Sequence, residues 1–297
     1  MNKNTKFILN TDVDLQNTLD SGQSFAWEKL DLNNQVCFKG YYKNSEILVE
    51  QKNNQLIIEI LNNTNYKNFI NDFTNYLGDK PSDLKNYKLL MNDPIINPVI
   101  KKYPGLRILK QEPWECIVGF ITSSCSNLPR IKHHMKSLRE INNGIFPLPY
   151  EIGFMGEKKL RELGFGFRAP YIINMAEALI NESIFIEELK IKSYEFALNE
   201  LIKVKGIGRK IADCILAYSF DKTESFPVDR HVLNGLIRWY DFPKKSNPIK
   251  ASDLARKMFG DISSHAQQYI FHRQRLASRA SNWGGSHKEL AINSDIN

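Results

Sequence analysis

The chain has 297 residues, of which 42% are hydrophobic, 25% are charged and 11% are aromatic. This length predicts about two domains with a sizeable core, and it excludes a peptide or a disulfide-stapled miniprotein. No apolar run approaches the roughly 18 residues of a membrane span, and residues 1–14 lack the apolar stretch of a secretory signal. Four single cysteines, spaced unlike metal ligands or a disulfide framework, predict free thiols.

The formal net charge of +7 is unevenly distributed along the sequence. Residues 1–103 hold 12 Lys, no Arg and 12 Asp or Glu, whereas the remainder holds 28 basic and 21 acidic residues. All 12 arginines lie in that second part, and the planar guanidinium group suits phosphate better than an ammonium group does. A polyanionic partner and a simple abundance of lysine in the source organism explain this charge about equally well.

Short β-rich runs dominate residues 5–62 and predict antiparallel strands; the runs are FILN, QVCFKGYY, SEILVEQ and QLIIEIL. From Tyr66 the apolar period becomes helical, with Phe69, Phe73 and Leu77 on one face, and residues 83–103 continue this pattern. The later predicted helices are 114–124, 128–141, 169–180, 194–203, 209–220, 229–240, 249–259 and 263–280. The fold class is therefore α+β, with an N-terminal antiparallel β-sheet domain with helices over 1–104 and a mainly α-helical domain over 105–297.

The segment LIKVKGIGRKIADCILAYSF, residues 201–220, predicts two helices joined by a tight turn. Gly206 and Gly208 flank Ile207, so the turn exposes backbone N–H groups while Val204 and Ile207 pack inward. Exposed N–H groups at the positive end of a helix dipole favour a phosphate oxygen without reading any base. An ordinary helix-turn-helix corner is the alternative, and the turn alone favours that alternative.

Two residues near this turn have the chemistry of a catalytic pair. Lys210 lies in the first turn of the second helix, and Asp229 follows 19 residues later in FPVDRH. Pro227 favours an extended approach, which predicts Asp229 as the N-cap of helix 229–240. Singly, they are most simply explained as a solvated lysine and a cap. Together they predict an amine nucleophile beside a carboxylate, with DNA backbone held close by.

Residues 201–232 resemble the helix-hairpin-helix and Gly/Pro-Asp signature of base-excision DNA glycosylases, particularly the 8-oxoguanine DNA glycosylase family. Other blocks resemble this family in the expected order. SGQSFAW (21–27) resembles its β-domain segment, and FITSSCSNLPRI (120–131) resembles its first DNA-contacting helix turn. LGFGFRAPY (163–171) resembles its wedge loop, and HAQQYIF (265–271) resembles its base-pocket helix. The resemblance extends over residues 21–271.

The resemblance implies a cleft that receives a flipped nucleotide. Lys210 matches the nucleophile that displaces the damaged base at the sugar anomeric carbon and leaves a Schiff base. Asp229 matches the carboxylate that helps to activate the amine and offsets positive charge on the sugar.

The same resemblance implies a pocket for the extruded base. Cys214 and Phe271 match its two faces, and Gln267 matches the amide that reads the Watson-Crick edge. The carbonyl of Gly22 matches the acceptor for the N7 hydrogen that 8-oxoguanine has and guanine lacks. Tyr218 stands at a pocket-lining position that is methionine in animal members.

Further matches concern the DNA duplex. The hairpin residues Gly206, Ile207 and Gly208 match backbone contacts, and His231 matches a group near the phosphate next to the lesion. Phe167 matches an aromatic wedge that is usually tyrosine. Arg130 and Arg168 match the pair that reads the estranged cytosine.

Two departures from the animal pattern bear on the opposite strand. Cys125-Ser126 stands before Asn127 where animal members carry consecutive asparagines, so Asn127 is the candidate for filling the gap left by the flipped base. Pro170 stands where animal members carry another arginine, so we expect looser discrimination among opposite bases.

The resemblance therefore implies a bifunctional DNA glycosylase/AP lyase that excises 8-oxoguanine from duplex DNA in base excision repair. We expect a monomeric bacterial member in the cytoplasm, associated with the nucleoid, without a membrane contact, metal or organic cofactor. A monofunctional alkylbase glycosylase would rely on the aspartate alone, and Lys210 argues against it. A non-catalytic DNA-binding module would need only Gly206, Ile207 and Gly208.

Overall fold

A five-stranded antiparallel sheet forms the N-terminal part of the computed structural model, in which residues 5–32, 35–62 and 68–283 are described. Its strands are Thr5–Asn10 (β1), Trp27–Leu32 (β2), Gln35–Tyr42 (β3), Ser45–Lys52 (β4) and Gln55–Ile60 (β5). The strand order is β1-β5-β4-β3-β2, so β2 to β5 form a meander and β1 pairs with β5. The predicted antiparallel strands are confirmed, but β2 was not predicted because WEKLDL lacks β-branched residues.

The sheet forms because its strands alternate apolar and polar residues, which gives it one buried face. In β4, Ile47 and Val49 are fully buried, and Phe69 and Phe73 of the following helix cover the same core. The helical period predicted around Phe69 is therefore confirmed, whereas its predicted start at Tyr66 lies outside the described residues.

Helices make up most of the remaining described chain. They are Leu15–Leu19 (α1), Phe69–Tyr76 (α2), Pro81–Leu90 (α3), Asn97–Lys102 (α4), Pro113–Thr122 (α5), Leu128–Glu140 (α6), Pro149–Glu162 (α7), Ala169–Ile180 (α8), Ile186–Ile191 (α9), Tyr194–Lys203 (α10), Arg209–Ser219 (α11), Arg230–Trp239 (α12), Pro248–Phe259 (α13) and Ser263–Trp283 (α14). Within the described ranges, no helix is both long enough and apolar enough to cross a membrane.

The continuous helical pattern predicted over residues 83–103 is wrong in one respect, because the chain breaks between α3 and α4. The Asp93 carboxylate accepts the N–H groups of Ile95 and Ile96 over 2.8 and 2.9 Å, which stabilises a turn at this break. Helix α7 was missed because it contains two glycines, of which Gly156 has a φ of +71° and kinks the helix.

Three hydrophobic cores organise the described part of the chain. One lies between the sheet, α1 and α2, and a second joins helices α5 to α11. The third packs α3 and α4 against α12 to α14, burying residues such as Tyr87 and Leu90 beside Leu236 and Ile270. Residues before position 104 therefore contribute helices to two different cores, while the domain boundary at residue 104 stays a prediction. The seam between the second and third cores separates α11 from α12 and α14.

Candidate active site and nucleic-acid interface

Helices α10 and α11 form the predicted hairpin around a turn at residues 204–208. Val204 and Ile207 are buried, and the Ile207 N–H donates to the Val204 carbonyl over 3.0 Å. Gly208 is the N-cap of α11 and has no side chain to cap it. In the described part of the chain, the N–H groups of Gly206 and Gly208 donate to no protein acceptor. Unsatisfied N–H groups at the positive end of the α11 dipole form an anion site.

A buried polar network anchors the first turn of α11. Asp213 is fully buried and accepts hydrogen bonds from Arg209 Nε over 2.8 Å, from Ser225 Oγ over 3.1 Å and from the Tyr194 hydroxyl. Burial raises the pKa of Asp213, and the Arg209 charge opposes that rise. Arg209 also donates to Asp253 of α13 over 2.8 Å. The network therefore fixes the hairpin relative to α10, to α13 and to the segment that leads to α12.

Gly206 and Gly208 are expected to differ in their tolerance of a side chain. Gly206 has a φ of +104°, and a Cβ there would lie 2.2 Å from Tyr171 Cγ, whereas a Cβ on Gly208 would meet nothing within 4 Å. We expect Gly206→Ala to lower the free energy of unfolding by about 1–3 kcal/mol through backbone strain alone. Gly208→Ala is the matched control and should melt near the unmodified protein in thermal unfolding. Equal melting temperatures for both variants would show that the turn accommodates the Tyr171 clash.

Lys210 lines a cleft of about 480 Å³ between the loop at residues 123–125 and the beginnings of α11 and α13. Its Nζ lies 5.7 Å from the centroid of the Phe120 ring, and Cys214 follows Lys210 by one helical turn of α11. Burial raises the pKa of Cys214 to about 11, and Lys210 opposes that rise. Cys214 is therefore a neutral thiol near pH 7, so Lys210 is the stronger candidate for a nucleophile.

Asp229 occupies the N-cap of α12, as predicted. Its Oδ1 accepts the Val232 N–H over 2.8 Å, and its backbone is extended. Burial is the main cause of the raised pKa values of Cys214 and Tyr218, and the negative charge of Asp229 raises both pKa values further. The carboxylate and Lys210 thus act on the same thiol from opposite sides of the seam between the two helical cores.

The predicted base-pocket residues on α11 share one face of that helix. Cys214 and Tyr218 follow Lys210 at four-residue spacing, and both are buried. The Tyr218 ring stacks on Phe120 at 5.4 Å, and its hydroxyl oxygen lies 3.1 Å from Oε1 of Gln267. The structure therefore connects the predicted nucleophile to the predicted base-reading amide through Phe120 and Tyr218.

The remaining pocket residues meet at α14. Phe271 follows Gln267 by one helical turn and packs against Gly22, where a Cβ would lie 3.1 Å from Phe271 Cε1. Gly22 has a φ of +81°, which favours glycine at this close approach. The His231 ring meets Phe271 edge-on at 6.0 Å. The structure thus brings the predicted pocket residues together in a chain of contacts that leads from Lys210 to Gly22.

The residues predicted to face the opposite strand form a separate cluster. Asn127 is the N-cap of α6, and its Oδ1 accepts the Arg130 N–H over 3.0 Å, while the Arg130 residue is exposed. Arg168 is buried and donates to the carbonyls of Ser124 and Cys125 over 2.7 and 2.9 Å. Burial lowers the pKa of Arg168, and the Arg130 charge lowers it further. The two arginines are neighbours, and Arg168 holds the loop that also lines the Lys210 cleft.

Phe167 lies beside this cluster with 46% of its surface exposed, as a wedge residue requires. The Arg168 guanidinium lies 4.4 Å from its ring centroid, and Tyr171 meets the ring edge-on at 6.3 Å. The aromatic plate is therefore supported from two sides. Its insertion into DNA stays a prediction, as do the DNA contacts of Asn127 and the arginines.

Several contributing residues were missed by the sequence analysis. The Arg209–Asp213 pair has the four-residue spacing of a helical ion pair, so a signal was present in the sequence. Phe120 and Gln268 carried no local signal, because their contacts with Tyr218 come from tertiary packing.

The hairpin is followed by α12, which lies on the other side of the seam and is capped by Asp229. A helical hairpin followed by such an aspartate defines a class of DNA-repair proteins. The family described as HhH-GPD superfamily base excision DNA repair protein matches residues 118–260. The family described as 8-oxoguanine DNA glycosylase, N-terminal domain, matches residues 6–117. The chain therefore belongs to the 8-oxoguanine DNA glycosylase family, as its sequence predicted.

Relatives with known names or structures agree with this assignment. The N-glycosylase/DNA lyase of Saccharomyces cerevisiae is 30% identical over 309 aligned residues, which cover 90% of this chain and 80% of that protein. A probable N-glycosylase/DNA lyase of Methanothermobacter thermautotrophicus is 28% identical over 67% of this chain and 73% of its own. The crystal structure of Clostridium acetobutylicum 8-oxoguanine glycosylase/lyase with duplex DNA superposes with a TM-score of 0.84 at 27% identity, covering 93% of this chain and 99% of that one. The predicted fold class is confirmed.

Proposed function

We propose that this protein is a bifunctional DNA glycosylase/AP lyase that excises 8-oxoguanine from duplex DNA in base excision repair. The observation that carries the proposal is that Lys210 and Val228, the residue before Asp229, line the same cleft beside the hairpin, while the charges of Lys210 and Asp229 both act on the pKa of the Cys214 thiol. Family membership supports 8-oxoguanine as the lesion that is excised, since the Clostridium relative was crystallised with DNA that contains cytosine opposite 8-oxoguanine.

The proposed chemistry uses the Lys210 amine as the nucleophile. Once deprotonated, Nζ forms a bond to C1′ of the flipped nucleotide as the C1′–N9 bond breaks, and the base leaves with that electron pair and takes up a proton. Asp229 offsets the positive charge that develops on the sugar. Opening of the sugar ring gives a Schiff base between Lys210 and C1′. Loss of a proton from C2′ then expels the 3′ phosphate and cleaves the strand.

Recognition of the duplex combines sequence-independent and base-directed contacts. The free N–H groups of Gly206 and Gly208 suit a phosphate, and the positive charge of the second half of the chain favours binding of DNA. Arg130 is exposed and is the better placed of the two arginines to meet an estranged cytosine. Arg168 would have to give up two bonds to loop carbonyls to do the same.

Borohydride trapping tests the proposed function. Duplexes that carry 8-oxoguanine, hypoxanthine, an alkylated adenine or only undamaged bases are incubated with the protein and the reductant. We expect a covalent protein–DNA adduct with 8-oxoguanine and little or none with the other duplexes. Excision of alkylated adenine without an adduct would support a monofunctional alkylbase glycosylase instead, and binding without excision of any base would support a non-catalytic module.

A further inference from the structure

Tyr218 lies beside Gln267, the predicted base-reading amide, and its hydroxyl group can donate one hydrogen bond. Its side chain is 3% exposed, and its ring stacks on Phe120 with an interplanar angle of 17°. Burial raises the pKa of Tyr218 well above its ordinary value, so the phenol stays neutral throughout the physiological range. Its oxygen is 2.6 Å from Oε1 of Gln268 and 3.1 Å from Oε1 of Gln267. One phenol proton thus faces two carboxamide oxygens.

The two distances decide which carboxamide receives the proton. A separation of 2.6 Å is typical of an O–H···O bond, whereas about 2.9–3.1 Å is typical of an N–H···O bond. The phenol therefore donates to Gln268. The contact with Gln267 becomes favourable when its carboxamide turns by a half rotation and donates Nε2–H to the phenol oxygen. This rotation directs Oε1 of Gln267 away from Tyr218.

Turning the Gln268 carboxamide instead of the Gln267 carboxamide would not increase the number of hydrogen bonds that Gln268 makes. Its Nε2 is buried and has no acceptor within the described ranges, so turning this carboxamide would only replace an unpartnered N–H group with an unpartnered oxygen. Gln267 resembles Gln268 in that its Nε2 meets no protein acceptor among the described residues. It differs in that this Nε2 is not fully buried. The amide end of Gln267 therefore keeps some exposure to solvent, and the atom that occupies this end can meet a ligand.

We propose that Tyr218 and Gln268 fix the polarity of the Gln267 carboxamide, so that its oxygen faces the flipped base. This inference rests on the proposed function and makes Tyr218 a positioning residue that determines specificity. The Watson-Crick edge of 8-oxoguanine presents adjacent donors at N1 and N2, and both match a carbonyl oxygen. 8-Oxoadenine keeps the N7 hydrogen and the C8 oxygen but presents an acceptor at N1, which a fixed carbonyl oxygen repels.

The test compares single-turnover excision of 8-oxoguanine and 8-oxoadenine, each opposite cytosine. In Tyr218→Phe the carboxamide of Gln267 is free to rotate, so the preference for 8-oxoguanine should fall by about tenfold, the value of one good base contact. In Gln268→Met the Tyr218 hydroxyl loses its acceptor on residue 268 and donates to Oε1 of Gln267 instead. This hydrogen bond holds the Gln267 carboxamide with Nε2 facing the base. That variant should therefore lose more of the preference than Tyr218→Phe does.

Tyr269→Phe is the matched control, because Tyr269 is a buried tyrosine on α14, the helix of Gln267 and Gln268, and its hydroxyl donates to the Leu106 carbonyl over 3.4 Å rather than to a glutamine. It should keep the ratio of the two excision rates. Equal losses on both substrates in Tyr218→Phe, with the ratio unchanged, would overturn the inference and leave Tyr218 a packing residue. Failure of the unmodified protein to excise 8-oxoguanine would instead overturn the proposed function, so the two failures are distinguishable.

Discussion

Lys210→Gln is expected to abolish the borohydride-stable adduct and to slow excision of 8-oxoguanine by about 10³-fold or more. The amide of glutamine has no basic lone pair on nitrogen, so it cannot form a bond to C1′ or a Schiff base. The hairpin, the wedge and the pocket are unchanged, and binding of the damaged duplex should therefore persist. The measurement is single-turnover excision with excess protein, together with trapping and a binding titration on the same duplex.

Lys257→Gln is a charge-matched control for this variant. Lys257 is exposed in the last turn of α13 and does not line the cleft, so its substitution removes one positive charge without touching the proposed chemistry. It should retain excision and trapping. An adduct at the unmodified level in Lys210→Gln would show that another amine attacks the sugar, and the assignment of Lys210 would be wrong.

The position of the cleft explains how one fold combines these groups. Lys210, Cys214 and Tyr218 lie on a helix of one core, whereas Asp229, Gln267 and Phe271 lie on helices of another. A nucleotide that enters the seam would meet an amine on one side and a carboxylate on the other. Neither core alone contains both groups, so the proposed catalytic pair exists only when the two cores pack correctly. The Asp213–Arg209 network spans this seam and stabilises its geometry.

Features that arise within one helix or turn could be predicted from the sequence. The N-cap role of Asp229 follows from the preceding Pro227 and the apolar period after it, and the hairpin follows from the glycines around Ile207. The shared face of Lys210, Cys214 and Tyr218 follows from their four-residue spacing. The grouping of Gly22 with Phe271 was implied by the family resemblance, which assigns both residues to the base pocket.

Features that depend on packing between distant segments could not be predicted. Tyr171 gave no indication that its ring fills the space beside Gly206. The Arg168 side chain was expected to face the opposite strand, yet it is buried and donates to loop carbonyls 43 and 44 positions earlier. Such contacts depend on which surfaces meet, and local propensity carries no information about that choice.

Asp229→Asn separates the two roles that this residue combines. Asparagine is as good an N-cap as aspartate, so the free energy of unfolding should change by no more than a few tenths of a kcal/mol, about the spread between good caps. The variant loses the negative charge that offsets charge on the sugar, and removal of such a stabilising group slows catalysis by about 10²–10³-fold. Thermal unfolding and single-turnover excision of 8-oxoguanine, measured on the same preparation, give both quantities.

Two further variants show which role accounts for the result. Asp229→Ala removes the cap as well, so it should be less stable than Asp229→Asn by about 1 kcal/mol and equally slow in excision. Asp14→Asn makes the same substitution at the N-cap of α1, where Asp14 accepts the Asn17 N–H over 2.6 Å, and it should leave excision unchanged. If Asp229→Asn excised 8-oxoguanine at the unmodified rate, its carboxylate would serve only the helix, and the charge on the sugar would have to be offset by another group.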